Sequence, residues 1–99
     1  ESVLIEGLAL VGRVPAPRAG AQVRHLLPLS SRDMTVSKTH AALEVVEGVL
    51  VVTDRGSTNG SVLIRQGVSR ELAKGRPATL LDGDRIRFGD RECTVSRET

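Results

Sequence analysis

Two apolar runs, Ala41-Ala42-Leu43-Glu44-Val45-Val46 and Val49-Leu50-Val51-Val52, stand on either side of the pair Glu47-Gly48. No other feature constrains the fold as much. Runs rich in β-branched residues, joined by a short turn containing Gly, read as a β-hairpin. A hairpin also fixes its flanks, because the residues before its first strand lie beside those after its second. Here the flanks are Thr35-Val36-Ser37-Lys38-Thr39-His40 and Gly56-Ser57-Thr58-Asn59-Gly60. Two loops rich in hydroxyl, amide and cationic groups therefore converge at one end of a sheet, and the rest of the chain is read as their scaffold.

The scaffold repeats the strand pattern. Val3-Leu4-Ile5 and Leu8-Ala9-Leu10-Val11 read as two short strands around the turn Glu6-Gly7. Pro15, Pro17 and Gly20 break regular structure over residues 14–21, since Pro lacks the ladder donor and Gly relaxes the backbone. A strand around Val23, Leu26 and Leu27 ends at Pro28, and residues 30–35 form a polar connection. Ser61 to Ile64 reads as a strand, Arg65 to Gly75 as a second hairpin with its tip at Gln66-Gly67, and Asp82-Gly83-Asp84 as a turn. Arg85-Ile86-Arg87-Phe88 alternates polar and apolar, as a strand with one buried face does. Cys93-Thr94-Val95 supplies a last strand after the turn Gly89-Asp90. Short strands at intervals of roughly 8 to 12 residues, with no helical period, predict an all-β sandwich. A chain of 99 residues makes one domain, read as spanning 1–99 and as a segment of a longer protein; about 60 to 68% of the unfolded surface can be buried at this size. Phe88 is the only aromatic residue, so the core falls to Val, Leu, Ile and Ala, a composition that favours strands.

Several function classes are excluded. Fourteen basic side chains against 12 acidic ones leave a net charge of only +2, and stacking aromatics are lacking, so a nucleic-acid partner is not expected. Of the basic residues only Lys38 and Lys74 are lysine. Cys93 stands alone, and His25 and His40 have no Cys or carboxylate at ligand spacing, so neither metal nor cofactor is expected. No apolar stretch approaches the roughly 18 residues of a membrane span and no cleavable leader pattern is present. The domain is therefore expected in the cytoplasm without itself touching a membrane, whatever anchor the longer protein carries. Ser37 and His40 invite a nucleophile-and-base reading, but positions three apart in a strand point to opposite faces and there is no G-x-S-x-G elbow. The Gly56–Gly60 loop has no Lys-Ser/Thr pair and no helix to receive a nucleotide phosphate. No catalytic residue is assigned, and the chain is not read as an enzyme.

What remains is a set of donors: the Arg13 guanidinium, the Ser37 and Thr58 hydroxyls, the Lys38 ammonium and the Asn59 amide. They suit a phosphate dianion flanked by peptide backbone, because each charge-assisted bond is worth roughly 1.5 to 3 kcal/mol and several together offset desolvation. None is poised to transfer the phosphate. Ser, Thr, Asn and Gly are also ordinary turn formers, so the weight rests on their order around one hairpin.

The blocks Gly12-Arg13, Ser37-x-x-His40, Gly56-Ser57-Thr58-Asn59-Gly60 and Leu81-x-Gly83-Asp84-x-Ile86-x-Phe88-Gly89, in that order, resemble the forkhead-associated (FHA) domain over about residues 8–96. The Val-Ser-Lys-Thr-His wording and the richness in Arg and Ala are similar to actinobacterial members of that family. The resemblance implies an antiparallel β-sandwich of about eleven short strands whose loops at one end bind phosphothreonine peptides in kinase signalling. It implies that Arg13 and Ser37 contact the phosphate with Lys38 beside them. Thr58 would bond near the phosphate, Asn59 would hold the ligand backbone, and His40 would brace the loops from behind. Gly12, Gly56 and Gly60 would shape the loops. Selectivity would come from variable loops, here Arg55 and residues 65–78.

Three departures from the family pattern are visible. Thr35 stands where the family carries a basic residue, with Arg32 or Lys38 as candidates to replace the cation. The segment from Arg13 to Ser37 is about ten residues longer than is common, and few residues precede Gly12. The expected partner is a phosphothreonine protein or peptide bound by a monomeric domain. The alternative is a phosphate-independent interaction or dimerisation module.

Overall fold

Nine strands form among the described residues, 2–97, of the computed structural model: β1 (Leu8–Gly12), β2 (His25–Pro28), β3 (Ala41–Val46), β4 (Val49–Asp54), β5 (Ser61–Arg65), β6 (Val68–Glu71), β7 (Ala78–Thr79), β8 (Arg85–Phe88) and β9 (Arg91–Thr94). They make a five-stranded sheet ordered β2-β1-β3-β4-β7 and a four-stranded sheet ordered β6-β5-β8-β9. The expected boundaries at residues 1 and 99 lie outside the described residues.

The central hairpin is β3–β4, in register from Val46↔Val49 to Ala41↔Asp54. Its turn places Glu47 at φ 51° and Gly48 at φ 77°, the pair of left-handed residues that matches the twist of the flanking strands. The Arg65–Gly75 excursion opens as the hairpin β5–β6, and its turn pair, Gln66 and Gly67, adopts the same two left-handed conformations.

The two sheets meet over Val11, Ala41 and Val52 on one side and Leu63, Ile86 and Phe88 on the other, with Leu72 and Leu80 from the connections closing the core. Phe88 is 1% exposed, and the alternation along β8 puts Arg85 and Arg87 in solvent and Ile86 and Phe88 inside. The Phe88 ring meets His40 edge-on at 5.6 Å between centroids, which sets the lone aromatic directly beneath the loops. The Asp84 turn is fixed to β5 by a two-bonded pair, Arg65 Nε and Nη2 donating to the carboxylate at 2.9 and 2.7 Å. Those bonds hold the Asp84 carboxyl below the usual range.

Four expectations are corrected. The strand count is nine among the described residues and not about eleven, partly because Val3-Leu4-Ile5 forms no strand and leaves Val3 and Leu4 exposed. Both edges of β1 are already taken, by β2 and β3. The sandwich is not wholly antiparallel: β1 and β2 run parallel, Ala9↔His25 to Gly12↔Pro28. A parallel neighbour needs a crossover of about a dozen residues, and the chain between Gly12 and His25 supplies it, which accounts physically for the long segment after Arg13. The edge position of β2 tolerates Pro28, whose missing N–H faces away from a ladder. The last strand is Arg91–Thr94 and not Cys93–Val95, because Val95 leaves the β8 ladder to close the Asp84 turn, accepting from Gly83 N and donating to Asp84 O.

Candidate functional site

Gly12, Ala41, Asp54, Ser61 and Phe88 mark the strand ends that meet beneath two loops, residues 35–40 and 55–60. The first is laid against β1. Arg13 N donates to Ser37 O at 3.0 Å and Val14 N to Lys38 O at 3.1 Å, extending the β1 edge past the end of the strand. This approach requires Gly at position 12: a Cβ there would stand 2.0 Å from the Lys38 carbonyl oxygen and 2.9 Å from that of Ser37. Arg13 follows at once, so its side chain is delivered to the loop. Its Nε donates to Val36 O at 2.7 Å, and among the described residues neither terminal guanidinium nitrogen has a hydrogen-bond partner.

His40 is fully buried at the base of the loop. Ser37 N donates to its Nδ1 at 3.1 Å, and its Nε2 lies 2.8 Å from Gly60 O. A ring that accepts at Nδ1 carries its proton at Nε2, so His40 donates to Gly60 O and ties the first loop to the second. This geometry does not make a nucleophile and base. The imidazole lone pair is spent on a backbone N–H, and Ser37 Oγ accepts from Thr58 N at 3.1 Å.

The second loop is wound on Asp54, a residue that the sequence reading did not single out. Its carboxylate accepts from Ser57 N at 2.8 Å, from Ser57 Oγ at 2.6 Å and from Ser61 Oγ at 2.5 Å, and Ser57 Oγ in turn accepts from Gly60 N at 3.0 Å. Burial pushes the Asp54 carboxyl up, but these hydrogen bonds pull it down further, and the result lies below the ordinary value. Gly56 and Gly60 sit at the two bends of this turn, at φ 72° and 84°. The signal available in the sequence was the spacing Asp54-x-x-Ser57, an Asp positioned to bond backbone three residues on.

A third segment closes the rim. Asp90 accepts from Ser31 Oγ at 2.8 Å, Thr35 Oγ1 at 2.7 Å and Asp33 N at 3.2 Å, while Asp90 N donates to Thr35 Oγ1 at 2.8 Å. The Thr35 and Ser31 bonds lead in holding the Asp90 carboxyl at about 2. Thr35, standing in place of the family's basic residue, is thus an anchor for the rim. Neither Ser31 nor Asp90 was legible as a site residue, because the bonds that join them to each other and Asp90 to Thr35 span 59 and 55 positions of the chain. Met34 was also missed: it takes a left-handed φ of 57° and is 67% exposed at the edge.

These segments enclose a cleft of about 320 Å³ lined by Arg13, Ser37, Lys38, Thr58 and Asn59 together with Met34, Thr35 and Val36. All five expected binding residues therefore line one concavity, and Gly12, His40, Gly56 and Gly60 lie in the backbone beneath it. Arg32 does not line it. Asn59 Nδ2 donates to Thr35 O across the cleft at 3.1 Å, leaving its carbonyl and second N–H unspent. Ser37 Oγ accepts one bond and retains its hydrogen. Among the described residues neither Arg13 nor Lys38 has a carboxylate within 4.0 Å, no group of His, Cys, Asp or Glu is arranged to hold a metal ion, and no helix is long and apolar enough to cross a membrane. Every buried polar side-chain atom among them has a partner. The cleft thus offers uncommitted donors and two free cations to an anion.

The sequence model of the FHA domain matches residues 10–89. No curated protein matches the chain by sequence. Among solved structures, one from work on phosphothreonine-dependent FHA domain interactions is 28% identical, with a TM-score of 0.63 over 97% of this chain and 82% of the other. Mycobacterium tuberculosis EmbR, in complex with a low-affinity phosphopeptide, is 25% identical with a TM-score of 0.65; the match covers 94% of this chain and only 21% of EmbR. An FHA domain from Chlamydia trachomatis, 20% identical, shares the fold at a TM-score of 0.67 over 97% of this chain and 82% of that one. With the match running from β1 through the turn after β8, the chain belongs to the forkhead-associated domain family.

Proposed function

We propose that this domain is a phosphothreonine-dependent peptide-binding module of Ser/Thr-kinase signalling, without catalytic activity, working on the cytoplasmic side where such kinases write their marks. The observation that carries the reading is the cleft itself: Arg13, Ser37, Lys38, Thr58 and Asn59 converge on it with donors left free. In this reading the two terminal nitrogens of Arg13 clamp phosphate oxygens while Nε stays on Val36 O, a division of labour that a planar fork allows. Ser37 donates its hydroxyl hydrogen to the phosphate while its oxygen keeps Thr58 N. Lys38 adds an unpaired charge at the rim, Thr58 Oγ1 bonds at the phosphate edge, and Asn59 pairs with the ligand backbone through the half of its amide that Thr35 O does not occupy. His40, Asp54 and Asp90 hold the three segments in place beforehand, so little ordering cost falls on binding.

The relatives support the reading in their own terms, since the EmbR structure contains a phosphopeptide. The test is calorimetric titration of one peptide sequence carrying Thr, phosphothreonine or phosphoserine. Binding of the phosphothreonine form alone is expected, and Arg13→Ala and Ser37→Ala are expected to abolish it while the circular dichroism spectrum is unchanged. Equal binding of all three peptides, or partner capture that survives both substitutions, would sink it in favour of a phosphate-independent module.

A further inference from the structure

Asn59 is the only asparagine in the chain, and Gly60 follows it. That pair is chemically fragile. Once the Gly60 nitrogen loses its proton it can attack Cγ of the Asn59 side chain; a C–N bond forms and closes a five-membered succinimide ring, while the Cγ–Nδ2 bond breaks and ammonia leaves. Water then opens the ring at one carbonyl to give aspartate or at the other to give isoaspartate. The net change is one water consumed and one ammonia released, with no redox step. Glycine has no side chain to obstruct the attack, and Asn59 is exposed, so water and base reach it. The product would be harmful where it forms. Aspartate sets a negative charge among the donors that line the cleft, and isoaspartate adds a methylene to the main chain at position 59.

The second loop opposes each requirement of that reaction. Gly60 is buried, and its N–H donates to Ser57 Oγ at 3.0 Å. Ser57 Oγ has already given its own hydrogen to Asp54 Oδ2 at 2.6 Å, so it turns only lone pairs toward Gly60 N, with a carboxylate behind it. An amide anion at Gly60 would forfeit its bond, find no donor in Ser57 and face a like charge, inside a cluster in which Asp54 and Ser57 are 0% and 1% exposed. Low local dielectric makes that arrangement far less favourable than the same anion in water. The electrophile is held too, since Asn59 Nδ2 donates to Thr35 O across the cleft at 3.1 Å. We propose that the Asp54–Ser57 relay is a chemical safeguard: by holding the Gly60 N–H it suppresses deamidation of Asn59, which is a latent modification site that opens when the relay is broken.

The experiment measures the rate of deamidation at mildly alkaline pH by mass spectrometry of the tryptic peptide spanning residues 56–65, whose ends are set by Arg55 and Arg65. Chromatography separates its aspartyl and isoaspartyl forms. The folded wild type is expected to react at least about tenfold more slowly than the same chain unfolded in urea. Folded Ser57→Ala is expected to react at least about fivefold faster than the folded wild type, the effect of removing one buried hydrogen bond from the reactant. If Ser57→Ala does not fold, Ser57→Cys, close in shape but a weaker acceptor, takes its place. Ile86→Ala separates chemistry from loosening: its side chain belongs to the core between the sheets, and it is expected to keep the wild-type rate while circular dichroism shows it folded. Equal rates in folded and unfolded wild type overturn the proposal. So does a wild-type rate in the folded Ser57 variant, which leaves the relay a shaper of the turn alone, and so does equal acceleration by Ile86→Ala. None of these measurements uses a ligand, so their outcome is independent of the phosphothreonine reading.

Discussion

Replacing Gly12 by Ala is the sharpest test of how the cleft is built. A Cβ at this position would lie 2.0 Å from Lys38 O, 2.7 Å from the Lys38 carbonyl carbon and 2.9 Å from Ser37 O, where ordinary contact begins at 3.4 Å. The obstacle is backbone, which has no rotamer by which to step aside. The loop must therefore retreat by about 1.4 Å, the shortfall between 2.0 and 3.4 Å. A shift of that size stretches Arg13 N to Ser37 O and Val14 N to Lys38 O, now 3.0 and 3.1 Å, beyond hydrogen-bond reach. Two backbone bonds at about 1 kcal/mol each, together with about 1 to 3 kcal/mol of overpacking, give a loss of about 3 to 5 kcal/mol. The same displacement carries Ser37 and Lys38 away from Arg13, so a larger proportional effect is expected on ligand binding than on the core. Urea denaturation of the wild type and Gly12→Ala, paired with calorimetric titration of a phosphothreonine peptide, reads both quantities. An unchanged unfolding midpoint would refute the steric argument outright, and unchanged peptide affinity would refute the claim that this contact sets the cleft.

Three further outcomes are expected. Arg13→Lys should bind a phosphothreonine peptide at least about tenfold more weakly, because one ammonium cannot hold Val36 O and clamp a phosphate at once; isothermal titration decides it, and wild-type affinity contradicts it. Asp54→Ala should lose about 3 to 5 kcal/mol in denaturant unfolding, since it leaves the Ser57 N–H and two buried hydroxyls without their acceptor; a loss below about 1 kcal/mol contradicts it. Asp90 lies at about 2 in the fold, below its ordinary value of 3.8, so its stabilisation is complete above about pH 4 and fades as pH falls towards about 2. Asp90→Asn should therefore speed amide exchange in residues 33–36 at neutral pH, and the difference from wild type should shrink across that acid range; a difference as large at pH 2 as at neutral pH contradicts it.

Much of this fold is legible because strands announce themselves locally. The alternation of β8, the turn pairs Glu47-Gly48 and Gln66-Gly67, and the hairpin they define depend on residues within a few positions of one another, where pattern and propensity agree. The convergence of the 35–40 and 55–60 loops follows from that hairpin alone. Arg13 was counted among the donors from its side chain, but the hairpin could not place it, since it is held by Val36 O at a separation of 23 residues. Where the reading erred, a strand's fate was decided at long range. Val3-Leu4-Ile5 has the composition of a strand and forms none, and β2 sits parallel to β1 because that edge was open to it.

The sequence by itself therefore determined the all-β class, the central hairpin, and which donors would face one another across its open end, since these follow from local period and turn chemistry. Only the tertiary structure decided how those donors are shared out: Arg13 Nε spent on Val36 O, Ser37 Oγ on Thr58 N, half of Asn59 on Thr35 O. It alone put Asp54 and Asp90 under the loops. Hydrogen-bond partnership and charge proximity depend on distances in space, and a residue's neighbours along the chain do not determine them.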